Sequence, residues 1–315
     1  MLREVEITVE KRPEILRQEA VNYINIGDLE KAEKNFKLLR SEDMSDDRVK
    51  TDLMYTGFWL SRKLKYREIE DHYKRGIFIL RQWKVFQGYI KDQERDEKVY
   101  SAIKARVFSQ ALYSFSRFAS ESRISDSATL FHIGVCYKNI GNYLEAIRNL
   151  EAANAKKNSD AAVLAELADC YEMVNETRMA RVFFREAFYI DPQKIDLENL
   201  ESGMIHQLVD LVRNMGYTGA ALKEWIPVYG VLKGVFDIKR ELRPLETAQL
   251  KQSIVTLETA LNDEENKELN IPRLINRYFW LIDFYDIIGN DSGAKENTLK
   301  KIRDLSPAVY ELYTN

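Results

Sequence analysis

Residues 127–160, SATLFHIGVCYKNIGNYLEAIRNLEAANAKKNSD, align without a gap above residues 161–194, AAVLAELADCYEMVNETRMARVFFREAFYIDPQK. The register sets Leu130 over Leu164, Ile133 over Leu167, Gly134 over Ala168, Cys136 over Cys170 and Tyr137 over Tyr171. It continues with Ala146 over Ala180, Leu150 over Phe184 and Ala153 over Ala187. Self-similarity at a fixed period of this size points to stacked helix hairpins, each too small to bury its own apolar face. Small residues at Gly134, Ala146 and Ala153 let two antiparallel helices approach, while Tyr137 and Leu150 fill the gaps between hairpins. Gly141 falls between the helices where a left-handed turn residue is wanted, and Asn175, which also tolerates that conformation, replaces it in the second copy.

Working outward, no proline lies between Pro13 and Pro192, the residue that closes the second copy. The residue that most reliably breaks helices is therefore missing from more than half of the 315-residue chain, and an all-α fold is the economical reading. Charged positions recur every few residues where β-rich chains would show Val/Ile/Thr runs punctuated by Gly and Pro, so all-β and collagen-like classes drop out. With 45% hydrophobic and 31% charged residues the chain can bury a core. The whole, 1–315, reads as a single helical-repeat domain.

Degenerate copies extend the template. Residues 13–46 supply Leu16, Ala20, Tyr23, Gly27, Ala32 and Phe36 at the same spacings. Residues 202–235 keep Gly216, Ala221 and Trp225, but Pro227 predicts a kink or a shortened second helix. Residues 275–308 offer Tyr278, Leu281, Tyr285, Gly289 and Ala294, then Ser306 and Pro307, and serve as a carboxy-terminal copy or cap. The period is lost at 50–126 and 236–270, where longer irregular helices are expected. The apolar spacing Ile69, Tyr73, Ile77, Leu80 predicts one from roughly Tyr66 to Lys91, and Val99, Ile103, Val107, Ala111 another from Lys98 to Ser120, with the charged turn KDQERDEK between. Leu250, Ile254, Leu257 and Leu261 make a further stripe, ahead of the acidic stretch NDEENKE.

The two clear copies resemble the tetratricopeptide repeat (TPR) family, whose pattern is a large residue, Leu-Gly, Tyr, then Ala, an aromatic, Ala and Pro. The resemblance implies a right-handed superhelical solenoid of antiparallel hairpins that acts as a protein-interaction scaffold or adaptor. It also implies a concave groove lined by the first helix of each hairpin. Carried onto this sequence, the groove positions are Phe131, Val135, Lys138 and Asn139 in one copy and Ala165, Asp169, Glu172 and Met173 in the next. Scaffolds of the family that hold a carboxylate terminus use Lys, Arg and Asn there. Val135, Asp169 and Glu172 disfavour such a clamp and favour an apolar peptide or helix with one or two basic residues. Such scaffolds serve many processes, among them the assembly of envelope and flagellar machines, and they can pair with copies of themselves.

The residues expose no competing chemistry. There is no phosphate loop, dinucleotide fingerprint, His-Glu-x-x-His or Gly-x-Ser-x-Gly elbow, and His72, His132 and His206 are widely spaced, so no catalytic group, metal or cofactor is expected. His132, next to a packing position, reads as a solvated or groove-edge histidine. Cys136 and Cys170 read as small buried packing residues. The net charge of -3 gives no global polyanion-binding signal. Locally, residues 62–106 hold 13 Lys/Arg against 7 Asp/Glu, interleaved with Tyr66, Tyr73, Phe78, Trp83, Phe86, Tyr89 and Tyr100. A secondary basic surface of Arg75, Arg81, Lys84 and Lys91 follows, suited to an acidic partner segment. The second reading of the chain is an RNA- or single-strand-binding helical protein using 62–106, while core packing with snorkelling basic residues accounts for the same aromatics. The charged amino terminus MLREVEITVEKRPE and the lack of any run near the roughly 18 apolar residues of a membrane span make a cytoplasmic protein without membrane insertion the default.

Overall fold

A computed structural model describes residues 12–91, 93, 96–157, 159–263, 266–289 and 292–315. The amino-terminal segment 1–11 and parts of the two charged turns, residues 92, 94, 95, 264 and 265, lie outside the described residues. Among the described residues the regular structure is helical, without a strand. The described residues form two compact units, one ending at Ala153 and one beginning at Asn154.

The first unit holds α1 (Arg12–Ile26), α2 (Leu29–Glu42), α3 (Asp47–Arg67), α4 (His72–Tyr89), α5 (Glu97–Ser122), α6 (Ser127–Asn139) and most of α7 (Tyr143–Lys156). Long α5 packs against α1, α3, α4 and α6. Its stripe Val99, Ile103, Val107 and Ala111 is buried as its spacing predicts. Around it gather Phe36, Tyr55, Trp59, Trp83, Phe86 and Phe115, all buried. The helix expected from Tyr66 to Lys91 is interrupted. Tyr66 belongs to the end of α3, residues 68–71 are non-helical, and Asp71 starts α4 by accepting the Lys74 N–H at 2.8 Å. The buried line of α4 is Gly76, Ile79, Trp83 and Phe86, with Tyr73, Ile77 and Leu80 half-buried beside it.

The second unit holds α8 (Ala161–Met173), α9 (Thr177–Ile190), two 3-10 turns (Pro192–Lys194 and Leu197–Asn199), α10 (Gly203–Asn214), α11 (Gly219–Leu232), α12 (Pro244–Ala260), α13 (Lys267–Ile288), α14 (Ser292–Leu305) and α15 (Pro307–Thr314). Its core includes Phe184, Phe188, Trp225, Phe236, Phe279 and Trp280. Pro227 neither ends nor shortens α11, which runs on to Leu232. In the region 236–270, residues 237–243 are not helical. They form a strap clamped by ion pairs: Arg181 to Asp237 at 3.2 Å, Lys239 to Asp283 at 3.0 Å and Asp286 at 2.7 Å, and Arg240 to Glu186 and Glu246. Arg185, itself buried, holds both the Ile238 carbonyl and the Asp283 carboxylate.

The 34-residue register reappears in the element bounds. Ser127 and Ala161, Asn139 and Met173, Tyr143 and Thr177, and Lys156 and Ile190 are the matching ends of α6/α8 and α7/α9, each pair 34 residues apart by subtraction. The turn is the same in both. Gly141 (φ +80°) donates its N–H to the Lys138 carbonyl while Asn142 reaches back to Tyr137; Asn175 (φ +65°) and Glu176 do likewise to Glu172 and Tyr171. Gly27 and Gly216 close the α1–α2 and α10–α11 hairpins with the identical pattern. A left-handed residue there lets two consecutive amides satisfy carbonyls that the ending helix leaves open.

Candidate partner-binding surfaces

The groove positions inferred from the repeat are largely enclosed, and they divide between the units. On α6, Phe131, Val135 and Asn139 are half-buried and Lys138 is fully buried. Val135 packs on the first unit's core, and Asn139 Nδ2 donates to the Val135 carbonyl at 2.8 Å. On α8, Ala165 and Asp169 are buried, and Glu172 and Met173 half-buried. The Asp169 carboxylate accepts the backbone N–H groups of Glu201 and Ser202 at 2.7–3.0 Å. Glu172 accepts the Ser202 hydroxyl and, at 3.3 Å, the Met204 N–H. The expectation that these carboxylates face a partner's basic residues is thereby corrected. They serve the open amides at the start of α10, where anionic groups are favoured by both hydrogen bonding and the helix dipole.

An open surface lies instead among α1, α2, α3 and the start of α5, where a concavity of about 820 Å³ is found. Pro13, Ile15, Val21, Leu39 and Val49 give it apolar walls. Among the described residues that line it, Glu14, Glu42, Asp43, Asp46, Asp96 and Glu97 supply six carboxylates against the three cations Arg17, Arg48 and Lys98. Its rear is built on one guanidinium. Arg17 meets Asp96 at 2.6 Å, Asp52 at 3.4 Å and Asp46 at 3.7 Å. Asp46 and Asp96 cap α3 and α5, accepting backbone N–H groups from Arg48 and from Lys98 and Val99. Asp52 is fully buried on α3, and among the described residues neither of its oxygens has a hydrogen-bond donor. Burial pushes its carboxyl up to about 7; Arg17 pulls the other way and the Asp96 and Asp46 charges add to the rise. Sequence reasoning missed this group, although Asp52 sits on the Val49–Asp52–Tyr55–Trp59 stripe, where a charge among apolar positions is a visible anomaly.

The second unit has a concavity of about 610 Å³ beside α10 and α11. Several of its polar groups are engaged locally: Arg213 with Asp210 at 3.0 Å, Lys223 with the Gln193 and Ile195 carbonyls, and His206 with the Leu200 carbonyl at 2.9 Å.

Of the basic-surface residues, Arg75 is turned back onto the Ile69 carbonyl, while Arg81, Lys84 and Lys91 are exposed. The seven aromatics of the basic stretch are mostly core: Trp83 and Phe86 are buried, Tyr66, Tyr73, Phe78 and Tyr100 half-buried, and Tyr89 alone is exposed. His132 is half-buried rather than fully solvated, with Tyr73, Phe115 and Phe131 packed around its ring. Cys136 and Cys170 are both buried thiols, and burial pushes the Cys136 thiol up. Among the described residues no group of three or more His, Cys, Asp or Glu is placed to hold a metal ion, and no helix is long and apolar enough to cross a membrane. No family model matches the chain, and no curated protein matches it significantly.

Proposed function

We propose that the chain is a non-enzymatic interaction scaffold, a TPR-like stack of helix hairpins that holds a basic segment of another protein in the α1–α2–α3–α5 concavity. The observation that carries this reading is the makeup of that surface: apolar walls rimmed, among the described residues, by twice as many carboxylates as cations, over a volume that suits a peptide segment. Rigid hairpins hold these side chains in place before binding, so little ordering entropy opposes association and micromolar affinity, roughly 8 kcal/mol, is within reach. Assembly of a larger complex is the role such a scaffold serves.

The test uses the full chain and a labelled peptide of alternating lysine and leucine, with an alternating glutamine and leucine peptide as control. The lysine peptide binds and the glutamine peptide does not. Glu42→Lys combined with Glu97→Lys weakens the lysine peptide by about tenfold or more, with helical circular dichroism unchanged. Equal binding of both peptides, or a double variant that binds as well as the parent, would exclude the concavity as the site.

A further inference from the structure

The segments 53–67 and 72–91, which form most of α3 and all of α4, contain nine Lys/Arg and no Asp or Glu. The turn between the two segments carries three exposed carboxylates, Glu68, Glu70 and Asp71, so the helix pair keeps an excess of positive charge. Of the nine cations, Lys84 and at least three others are engaged. Lys63 pairs with Glu30 at 2.7 Å, Arg75 holds the Ile69 carbonyl, and Arg62 reaches Gln82 Oε1 at 3.2 Å while its guanidinium sits 3.5 Å from the centre of the Phe58 ring. Among the described residues no carboxylate pairs with Lys65, Arg67, Lys74, Arg81 or Lys91, and all five are exposed.

The same side is also apolar in part. Val85 and Tyr89 are 51% and 52% exposed. With Arg81 they stand at i, i+4 and i+8, one line along α4. Tyr89 is held in place, stacked on Phe58 of α3 with centroids 5.6 Å apart and planes 28° from parallel. The helix pair beneath is locked by Tyr55 and Phe58 against Phe86 and by Trp59 against Trp83. Lys65 follows Arg62 by one helical turn on α3, so unpaired cations flank the line from both helices.

We propose that this α3–α4 seam docks an acidic peptide segment of another protein, one that carries an apolar side chain to cover Val85 and Tyr89. Charge complementarity selects the acidic class: the five exposed cations, and Arg81 beside Val85 above all, outnumber the exposed Glu68, Glu70 and Asp71 of the intervening turn and gain attraction on encounter, whereas a basic or neutral segment gains none. A single-stranded nucleic acid fits less well, because stacking successive bases needs a row of exposed rings. Here the other six rings of 62–106 are wholly or partly buried. The seam shares no residue with the acidic concavity, so the two surfaces stand or fall separately.

The experiment measures fluorescence anisotropy of three probes with the full chain: a peptide of alternating glutamate and phenylalanine, its glutamine and phenylalanine counterpart, and a mixed-sequence single-stranded RNA. The glutamate peptide binds at least about tenfold more tightly than the glutamine one, and its affinity falls with salt. Lys65→Glu with Arg81→Glu removes about tenfold or more of that affinity at unchanged helical circular dichroism, and Val85→Ser weakens binding without altering its salt dependence. The proposal is overturned by equal binding of both peptides, by tighter binding of the RNA, or by sedimentation showing that the double charge reversal dissociates a complex between two copies of this chain.

Discussion

The imidazole of His132 lies flat against the Phe115 ring, centroids 4.9 Å apart and planes 15° from parallel, with Tyr73 closing one side at 5.9 Å. Burial in this aromatic pocket pushes its pKa down to about 4, against the opposing pull of the Asp126 carboxylate. A neighbourhood of rings stabilises the neutral form and gives the cation little solvation.

The sign for stability follows. The folded-state pKa lies below the ordinary value of 6.5, so the unfolded chain binds more protons in between, and stability present above about 6.5 is lost as pH falls towards 4. The loss reaches on the order of 3 kcal/mol. His132→Phe keeps a flat ring against Phe115 and removes the titration. Urea midpoints of the parent should fall between pH 7 and pH 4.5 by more than those of the variant; parallel falls would show that His132 is not the group responsible.

Asp52 acts in the opposite direction. Its carboxyl, raised to about 7 from an ordinary 3.8, makes the folded state the stronger proton binder between those values. Its stabilising contribution is therefore present below about 4 and is lost as pH rises through 7, by up to about 4 kcal/mol. The groups that face it are Arg17 from α1, Asp46 and Arg48 at the start of α3, and Asp96 ahead of α5. Asp52→Asn keeps the shape and removes the buried charge, while Arg17 retains Asp46 and Asp96. The variant is expected to match the parent near pH 4 and to exceed its stability near pH 8. A variant less stable than the parent at pH 8 would mean that the Arg17 pairing outweighs the cost of burial.

What could be read from the sequence follows the physics of each feature. The turns at Gly27, Gly141, Asn175 and Gly216 were legible because a positive φ restricts residue type, and a restriction on type is written in the chain. The ends of α6 to α9 were legible because both hairpins meet the same packing demand 34 residues apart. The break between α3 and α4 was not, since the apolar spacing runs on through Tyr66, Ile69 and Tyr73 and only the Asp71 cap marks it. Nor was the occupation of Asp169 and Glu172. Helical periodicity assigns a residue to a face, but what covers that face is here a turn some thirty residues further along, at Glu201 to Met204. The seam on α4 shows the same limit from the other side: composition gave its charge, whereas the exposure of Val85 and Tyr89 depends on which helices leave that side open.

The repeat register carries one further consequence, at the position shared by Gly134 and Ala168. A Cβ added at Gly134 would stand 2.6 Å from Leu150 Cγ, 2.9 Å from its Cδ2 and 3.3 Å from the Ala146 carbonyl oxygen. Gly134→Ala gains about 1 kcal/mol of helix propensity, yet overpacking a buried contact costs typically 1–3 kcal/mol. The clash is with a branched carbon near the root of Leu150 rather than a movable tip, so the cost wins and the variant melts below the parent. In the second copy Ala168 already carries that methyl group, and Phe184 takes the place of Leu150. Transplanting the second copy's Ala alone should therefore destabilise the α6–α7 hairpin, while in a Leu150→Ala background the same substitution should cost less or become favourable. Thermal melts of the four proteins in the cycle decide it. If Gly134→Ala costs the same with and without the Leu150 side chain, close approach of the two helices is not what requires glycine there.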